Sequence, residues 1–115
     1  MFHSTVAPSI KVSPQNATRN ETQSVTFQCI LDGKPLSSVT WFHTNGIIDT
    51  SNSAKYSVTG PSSVNSGVAS LTINNLVRGD EGFYRCEANN ILGSAQSTYG
   101  YLTVNCKPNC NHGYM

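Results

Sequence analysis

Charge is scarce in this chain. Asp, Glu, Lys and Arg make up 11% of its 115 residues, with a formal sum of +1, about half the usual charged share of a globular protein. There is no basic run, which excludes the clustered Lys and Arg of a nucleic-acid footprint and a polybasic membrane patch. No apolar run approaches the ~18–20 residues needed to span a bilayer. The opening MFHSTVAPSI lacks the charged and apolar regions of a signal peptide. Met1 then reads as either a native start or an expression start on a segment excised from a longer protein, the second being preferred. No stretch keeps a 3.6-residue period over ten positions, so at most one helical turn fits, near residues 77–81. There is no glycine-rich phosphate loop, no paired-carboxylate site and no internal repeat. His3, His43 and His112 lie in one tail, at a hairpin and in the other tail, with no spacing that suggests a triad. No cofactor is implied, and the expectation is a protein that is not an enzyme.

What the chain has instead is short alternating runs separated by turn residues, the signature of an all-β fold. Ile10 and Val12 alternate after Pro8, and Pro14 closes that strand because proline cannot donate to a central ladder. Val25, Phe27 and Cys29 point one way along SVTFQCI. Residues 32–35 (DGKP) form a turn cluster. Val39 and Trp41 alternate next, and Asn45-Gly46 marks a tight hairpin. Ile47-Ile48 and Tyr56/Val58 read as short edge strands. Ala69, Leu71 and Ile73 alternate, Leu76 plugs the core from the loop that follows, and Tyr84, Cys86 and Ala88 alternate after it. In the last strand Ala95, Ser97 and Tyr99 share one parity, while Leu102 and Val104 share the other. Side chains alternate with period two, so both sets face the core only if an extra residue, a β-bulge, intervenes. Gly100 is the expected place, which would turn Tyr99 or Tyr101 outward; the alternative, which is preferred, is that one tyrosine simply caps the core.

Four cysteines permit disulfides. Cys29, Trp41 and Cys86 fall on three separate strands and point inward, so the two sulfurs could meet across facing sheets with Trp41 packed on them. A nucleophilic cysteine needs a base and solvent access, and alternation buries Cys86 instead. Tyr84, two residues before it, can return its hydroxyl to upstream backbone.

Cys29, Trp41, residues 71–73 (LTI) with Leu76, residues 80–86 (DEGFYRC), and residues 88–93 (ANNILG) leading to Leu102-Thr103-Val104 together resemble the immunoglobulin domains of the intermediate (I-set) type. The resemblance covers roughly residues 8–104. It implies a Greek-key β-sandwich with an inter-sheet bridge, and a pair between Asp80 and a basic residue opening an earlier strand, here Lys55. The last strand looks one residue longer than the family's usual spacing.

The expected organisation is a tail over residues 1–7, the immunoglobulin-like domain over 8–105, and a cysteine-containing tail over 106–115. Three readings of that last segment compete: a local Cys106–Cys110 disulfide, the truncated start of an EGF-like or other cysteine-rich module, and a zinc site from Cys106, Cys110 and His112, which would need a fourth ligand. Asn16-Ala17-Thr18 and Asn20-Glu21-Thr22 are N-glycosylation acceptors. With the paired cysteines they point to an exported protein. Sugar on Asn16 or Asn20 would shield the connection after the first strand and leave the sheet of Trp41, Cys86 and the last strand as the freer surface. His43, Ile47, Ile48, Tyr99 and Tyr101 are the candidate binding residues on or beside it, although Ile47 and Ile48 could instead cover the core edge. The resemblance implies a noncatalytic extracellular module of a receptor or adhesion protein that recognises a protein partner or spaces binding modules, with a weak homodimer as one option. The alternative is an intracellular structural module of a giant muscle protein, where thiols stay reduced.

Overall fold

The computed structural model describes residues 6–34, 37–44, 46–61 and 67–106. The described strands are β1 (Val6–Val12), β2 (Ala17–Asn20), β3 (Val25–Lys34), β4 (Ser38–His43), β5 (Gly46–Ile47), β6 (Tyr56–Thr59), β7 (Val68–Ile73), β8 (Gly82–Asn90), β9 (Gly93–Gln96) and β10 (Gly100–Asn105). One sheet has the order β1-β3-β7-β6. The other runs β2-β10-β8-β4-β5, with β9 also paired to β8. Strand β1 starts at Val6, two residues before Pro8. The expected helical turn is a 3-10 turn at Arg78–Asp80.

The two sheets bury the inward set of each strand. Val25, Phe27, Cys29 and Leu31 from β3 and Ala69, Leu71 and Ile73 from β7 meet Trp41, Tyr84, Cys86, Ala88, Leu102 and Val104 from the opposite sheet. Leu76 enters from the loop after β7 and is fully buried. Cys29 and Cys86 are disulfide-bonded across the sandwich, and Trp41 lies directly beside Cys86 in the β4–β8 register.

The first strand changes sheets. After β1 pairs with β3, buried Pro14 leads into β2, which runs parallel to β10 with Ala17 opposite Leu102. The sequence predicts only a connection here. A four-residue ATRN strand has a single apolar residue and no alternation to detect. The predicted extra residue exists, but not at Gly100. Gln96 pairs with Glu87 and Gly100 with Tyr84, so three residues, Ser97 to Tyr99, oppose two. Ser97 remains buried, its hydroxyl accepting the Cys86 N–H at 2.9 Å. The bulge therefore falls after it, at Thr98. Gly100 serves a different need: a Cβ there would come within 2.8 Å of the Pro14 and Gln15 carbonyl oxygens.

Tyr84 fixes the entry to β8. Its hydroxyl donates to the Asp80 carbonyl, and its ring stacks between Phe27, 4.9 Å away, and His43, 4.4 Å away. Asp80 is itself buried. Its Oδ2 accepts the Val77 N–H at 2.9 Å and faces Lys55 Nζ at 2.6 Å, and that ammonium also donates to the Asn75 carbonyl at 3.2 Å. The acid thus ties the 3-10 turn to the start of β6. Gly82 is needed where the chain turns into β8. It has φ +145°, and a Cβ would meet Thr44 Oγ1 at 2.5 Å and His43 Nε2 at 2.7 Å.

Burial, and then the nearby Asp80 charge, push the Tyr84 phenol well above the ordinary tyrosine value. A pKa raised on folding favours the protonated native state. Stability is therefore fully present below about pH 10 and declines as pH rises beyond it. Urea unfolding should show a steeper loss of stability between pH 9.5 and 11 in the wild type than in Tyr84→Phe. At pH 7 that variant should lose about 1–3 kcal/mol, because the buried Asp80 carbonyl is left without its donor. Lys55→Met should cost about 1–3 kcal/mol by the same assay, since it strands a buried carboxylate. Lys55→Met with Asp80→Asn should cost clearly less than the sum of the two single changes.

Candidate functional site: the outer face of the six-stranded sheet

Strand β8 buries Gly82, Tyr84, Cys86 and Ala88, so Phe83, Arg85, Glu87 and Asn89 stand on its other side. Register brings further outward residues beside them. Arg85 pairs with Phe42, Glu87 with Thr40, Phe83 with Tyr101, and Phe42 in turn with Ile47. Residues directly opposite on neighbouring strands share a face. The result is an apolar patch across four strands.

Its geometry is specific. Phe83 is 46% exposed and Tyr99 57% exposed. The Phe83 ring meets Tyr99 edge-on at 5.4 Å and Tyr101 edge-on at 4.8 Å. Such pairs contribute about 0.5–1.5 kcal/mol beyond area burial, enough to hold the rings in place. Arg85 Cζ lies 4.0 Å from the centre of the Phe42 ring, a cation–π contact. One guanidinium nitrogen, Nη1, is buried without a hydrogen-bond partner. Tyr101 reaches the edge of the patch, where its hydroxyl donates to Glu81 Oε2 at 3.3 Å while Glu81 Oε1 accepts the Val104 N–H at 2.9 Å. Desolvation first, then the Glu81 charge and that hydrogen bond, push the Tyr101 phenol up.

Three of the five candidate binding residues lie here: Ile47, Tyr99 and Tyr101. Both tyrosines are outward because the bulge precedes Tyr99. The other two leave the face. His43 has the inward parity of Val39 and Trp41, stacks on Tyr84, and places Nε2 3.1 Å from the Glu81 carbonyl oxygen. Ile48 is 9% exposed and belongs to the core, its N–H donating to the Trp41 carbonyl; it covers the core edge while Ile47, 71% exposed, does not. Phe42, Phe83 and Arg85 were missed. The signal was available, because each is a sequence neighbour of a residue already assigned inward.

The expected shielding also changes. Ala17 packs on the core, so Asn16 and Asn20 alternate to the opposite side of β2, which is an edge of this same sheet. Asn16 Oδ1 accepts the Tyr101 N–H at 2.8 Å. Both acceptor asparagines are exposed; Asn16 borders the aromatic cluster, and Asn20, opposite Asn105, lies further along the same sheet edge. Cys106 is disulfide-bonded and its sulfur accepts from Arg78 Nη1 at 3.3 Å. Cys110 and His112 lie outside the described residues. Among the described residues no group of His, Cys, Asp and Glu could hold a metal ion, and no helix is long and apolar enough to cross a membrane.

Comparison with known proteins agrees with this architecture. Hemicentin-2 of Mus musculus is 36% identical over 103 residues, covering 90% of this chain and 2% of that protein. The netrin receptor DCC of Rattus norvegicus is 33% identical over 85 residues, covering 74% of this chain and 5% of the receptor. The chain thus spans only a few hundredths of the length of these relatives. The solved structure of titin M4 superimposes with a TM-score of 0.78 at 27% identity, covering 90% of this chain and 100% of that one. The family model described as an immunoglobulin domain matches residues 7–90, and with the two sheets and the Cys29–Cys86 bridge in place, the chain belongs to the immunoglobulin-domain family.

Proposed function

We propose that the chain is a noncatalytic extracellular recognition module of the intermediate immunoglobulin type, within a larger cell-surface receptor or adhesion protein, and that it engages a protein partner through the outer face of the six-stranded sheet. The observation that carries this is half-exposed Phe83, held between Tyr99 and Tyr101 beside the Arg85–Phe42 stack. Aromatic residues and Arg are enriched at interfaces, whereas Lys, Glu and Asp are depleted. Rings already locked by their neighbours lose little entropy on binding. The likeness to a netrin receptor supports the cell-surface setting. So do the disulfides at Cys29–Cys86 and Cys106, since disulfides persist in oxidising compartments, and the exposure of Asn16 and Asn20. In this reading residues 8–105 form the domain, and 106–115 open a cysteine-rich, EGF-like continuation. The likeness to titin M4 favours the second reading, an intracellular structural module.

Two measurements test the proposal. In protein secreted from a glycosylating host, non-reducing peptide mass mapping should find Cys29–Cys86 and Cys106–Cys110 bridges and sugar on Asn16 or Asn20. Reduction should then lower stability by about 2–5 kcal/mol. Free thiols, bare asparagines and stability indifferent to reductant would instead support the intracellular module. For the face, fluorescent tetramers of the chain should bind intact cells, and Phe83→Ser with Tyr99→Ser should weaken that binding about tenfold or more while leaving the circular dichroism unchanged. Undiminished binding would remove this face from the proposal.

A further inference from the structure

A glycosylation acceptor stands at the edge of the three-ring cluster. Strand β10 lies between β2 and β8, with Ala17 opposite Leu102 and Tyr101 opposite Phe83. Asn16, Tyr101 and Phe83 therefore follow one another across three strands, about 4.8 Å from each strand to the next. Asn16 is exposed, and so are Phe83 and Tyr99. The Asn16 Oδ1 accepts the Tyr101 N–H at 2.8 Å. A sugar attaches at Nδ2 instead, so that hydrogen bond survives glycosylation and holds the linkage amide in one orientation beside the rings. Asn20 differs. Its backbone N–H donates to Gln23 Oε1, but among the described residues its side-chain amide has no partner. It also pairs with Asn105, four residues and about 13 Å further along the sheet edge.

We propose that the N-linked sugar of Asn16 settles on the three-ring cluster, stacked on Tyr101 and reaching Phe83, and that its presence closes the cluster to a protein partner. This rests on the recognition role of the face argued above and names what regulates it. The first sugar of an N-linked chain, N-acetylglucosamine, is a pyranose with a face of C–H groups and an acetyl methyl. The negative face of an aromatic ring attracts such C–H groups. The sugar hydroxyls stay in water, so the stacking strands no polar group. The rings are already held by their edge-on contacts and the linkage by its Oδ1 bond. Little freedom is therefore lost when the sugar settles. A group tethered one strand away acts at a high effective concentration, so a partner arriving from solution must displace it. The form that binds is then the one bare at Asn16. The held amide and the adjacent rings select Asn16 over Asn20 for this role.

The full chain secreted from a glycosylating host tests this. Peptide mapping should find Asn16 occupied. Proton NMR should show nuclear Overhauser contacts from the first sugar to the Tyr101 and Phe83 rings, with its acetyl methyl moved upfield by ring currents. Enzymatic trimming to that first sugar should keep both signals. Thr18→Ala removes the acceptor sequence while leaving Asn16 and its hydrogen bond in place. Its fluorescent tetramers should bind cells about tenfold or more tightly than the occupied wild type. Thr18→Ser keeps the acceptor and should behave as wild type. Thr22→Ala removes only the Asn20 acceptor and should do the same. Circular dichroism of each variant checks the fold. The proposal is overturned by a bare Asn16, by the absence of sugar–ring contacts, or by measurable but equal binding of the wild-type and Thr18→Ala tetramers. If neither tetramer binds cells, the recognition reading fails, and the NMR contacts alone decide whether the sugar sits on the rings.

Discussion

Strand β8 is pinned from its buried side, and the outer face takes its arrangement from that constraint. Cys86 is tied to β3 by the disulfide, and Tyr84 is clamped between Phe27 and His43 with its hydroxyl on the Asp80 carbonyl. Two inward residues fixed two positions apart leave the strand no freedom to slip, because a one-residue slip would exchange its faces. Phe83, Arg85 and Glu87 are therefore held outward at fixed spacing. The Lys55–Asp80 pair extends the same restraint, since it anchors the turn from which β8 begins. Such groups contribute modestly to stability one by one, but together they define the position of the exposed surface.

Much of this was legible in the sequence because the inward residues are apolar at period two. Cys29, Trp41, Leu71, Ile73, Tyr84, Cys86, Leu102 and Val104 are all in the core, and their alternation is strong enough to read without a structure. The face was less legible. An outward position in a sheet accepts almost any residue, so its composition carries no periodic signal of its own. Parity nevertheless extends from the inward set. Trp41 inward makes His43 inward and Phe42 outward, and Tyr84 inward makes Phe83 outward. Taking His43 as a surface residue gave weight to its place beside a hairpin and ignored its parity with Trp41.

Two features escaped for a different reason. Strand β2 is polar and short, and it exists because β10 offers it a free edge once buried Pro14 has turned the chain from one sheet to the other. That is tertiary context, which local pattern cannot supply. The bulge was inferred from the parity conflict, but its position was not. Gly100 suggested itself by its freedom of dihedral angle. The decisive interaction is instead the buried Ser97 hydroxyl, which accepts the Cys86 N–H and donates to the Thr98 carbonyl. This keeps Ser97 in the inward register and moves the extra residue to Thr98.

That displacement has a functional consequence. Had the extra residue fallen at Gly100, Tyr99 would have kept the inward parity of Ser97, and Phe83 would have faced Tyr101 alone. With the bulge at Thr98, Tyr99 swings to the outer side and meets Phe83 at 5.4 Å while Tyr101 holds it from the other direction at 4.8 Å. Tyr101 stands opposite Phe83 with either position of the bulge, next to Asn16, whose Oδ1 takes its N–H. One inserted residue thus adds Tyr99 and completes a three-ring cluster that has a glycosylation acceptor at its border. Sugar at Asn16 would lie beside Tyr101, one strand beyond β10, whereas Arg85 and Glu87 lie on β8 on the other side of β10. The Arg85–Phe42 stack and the modifiable edge thus lie on opposite sides of the three-ring cluster.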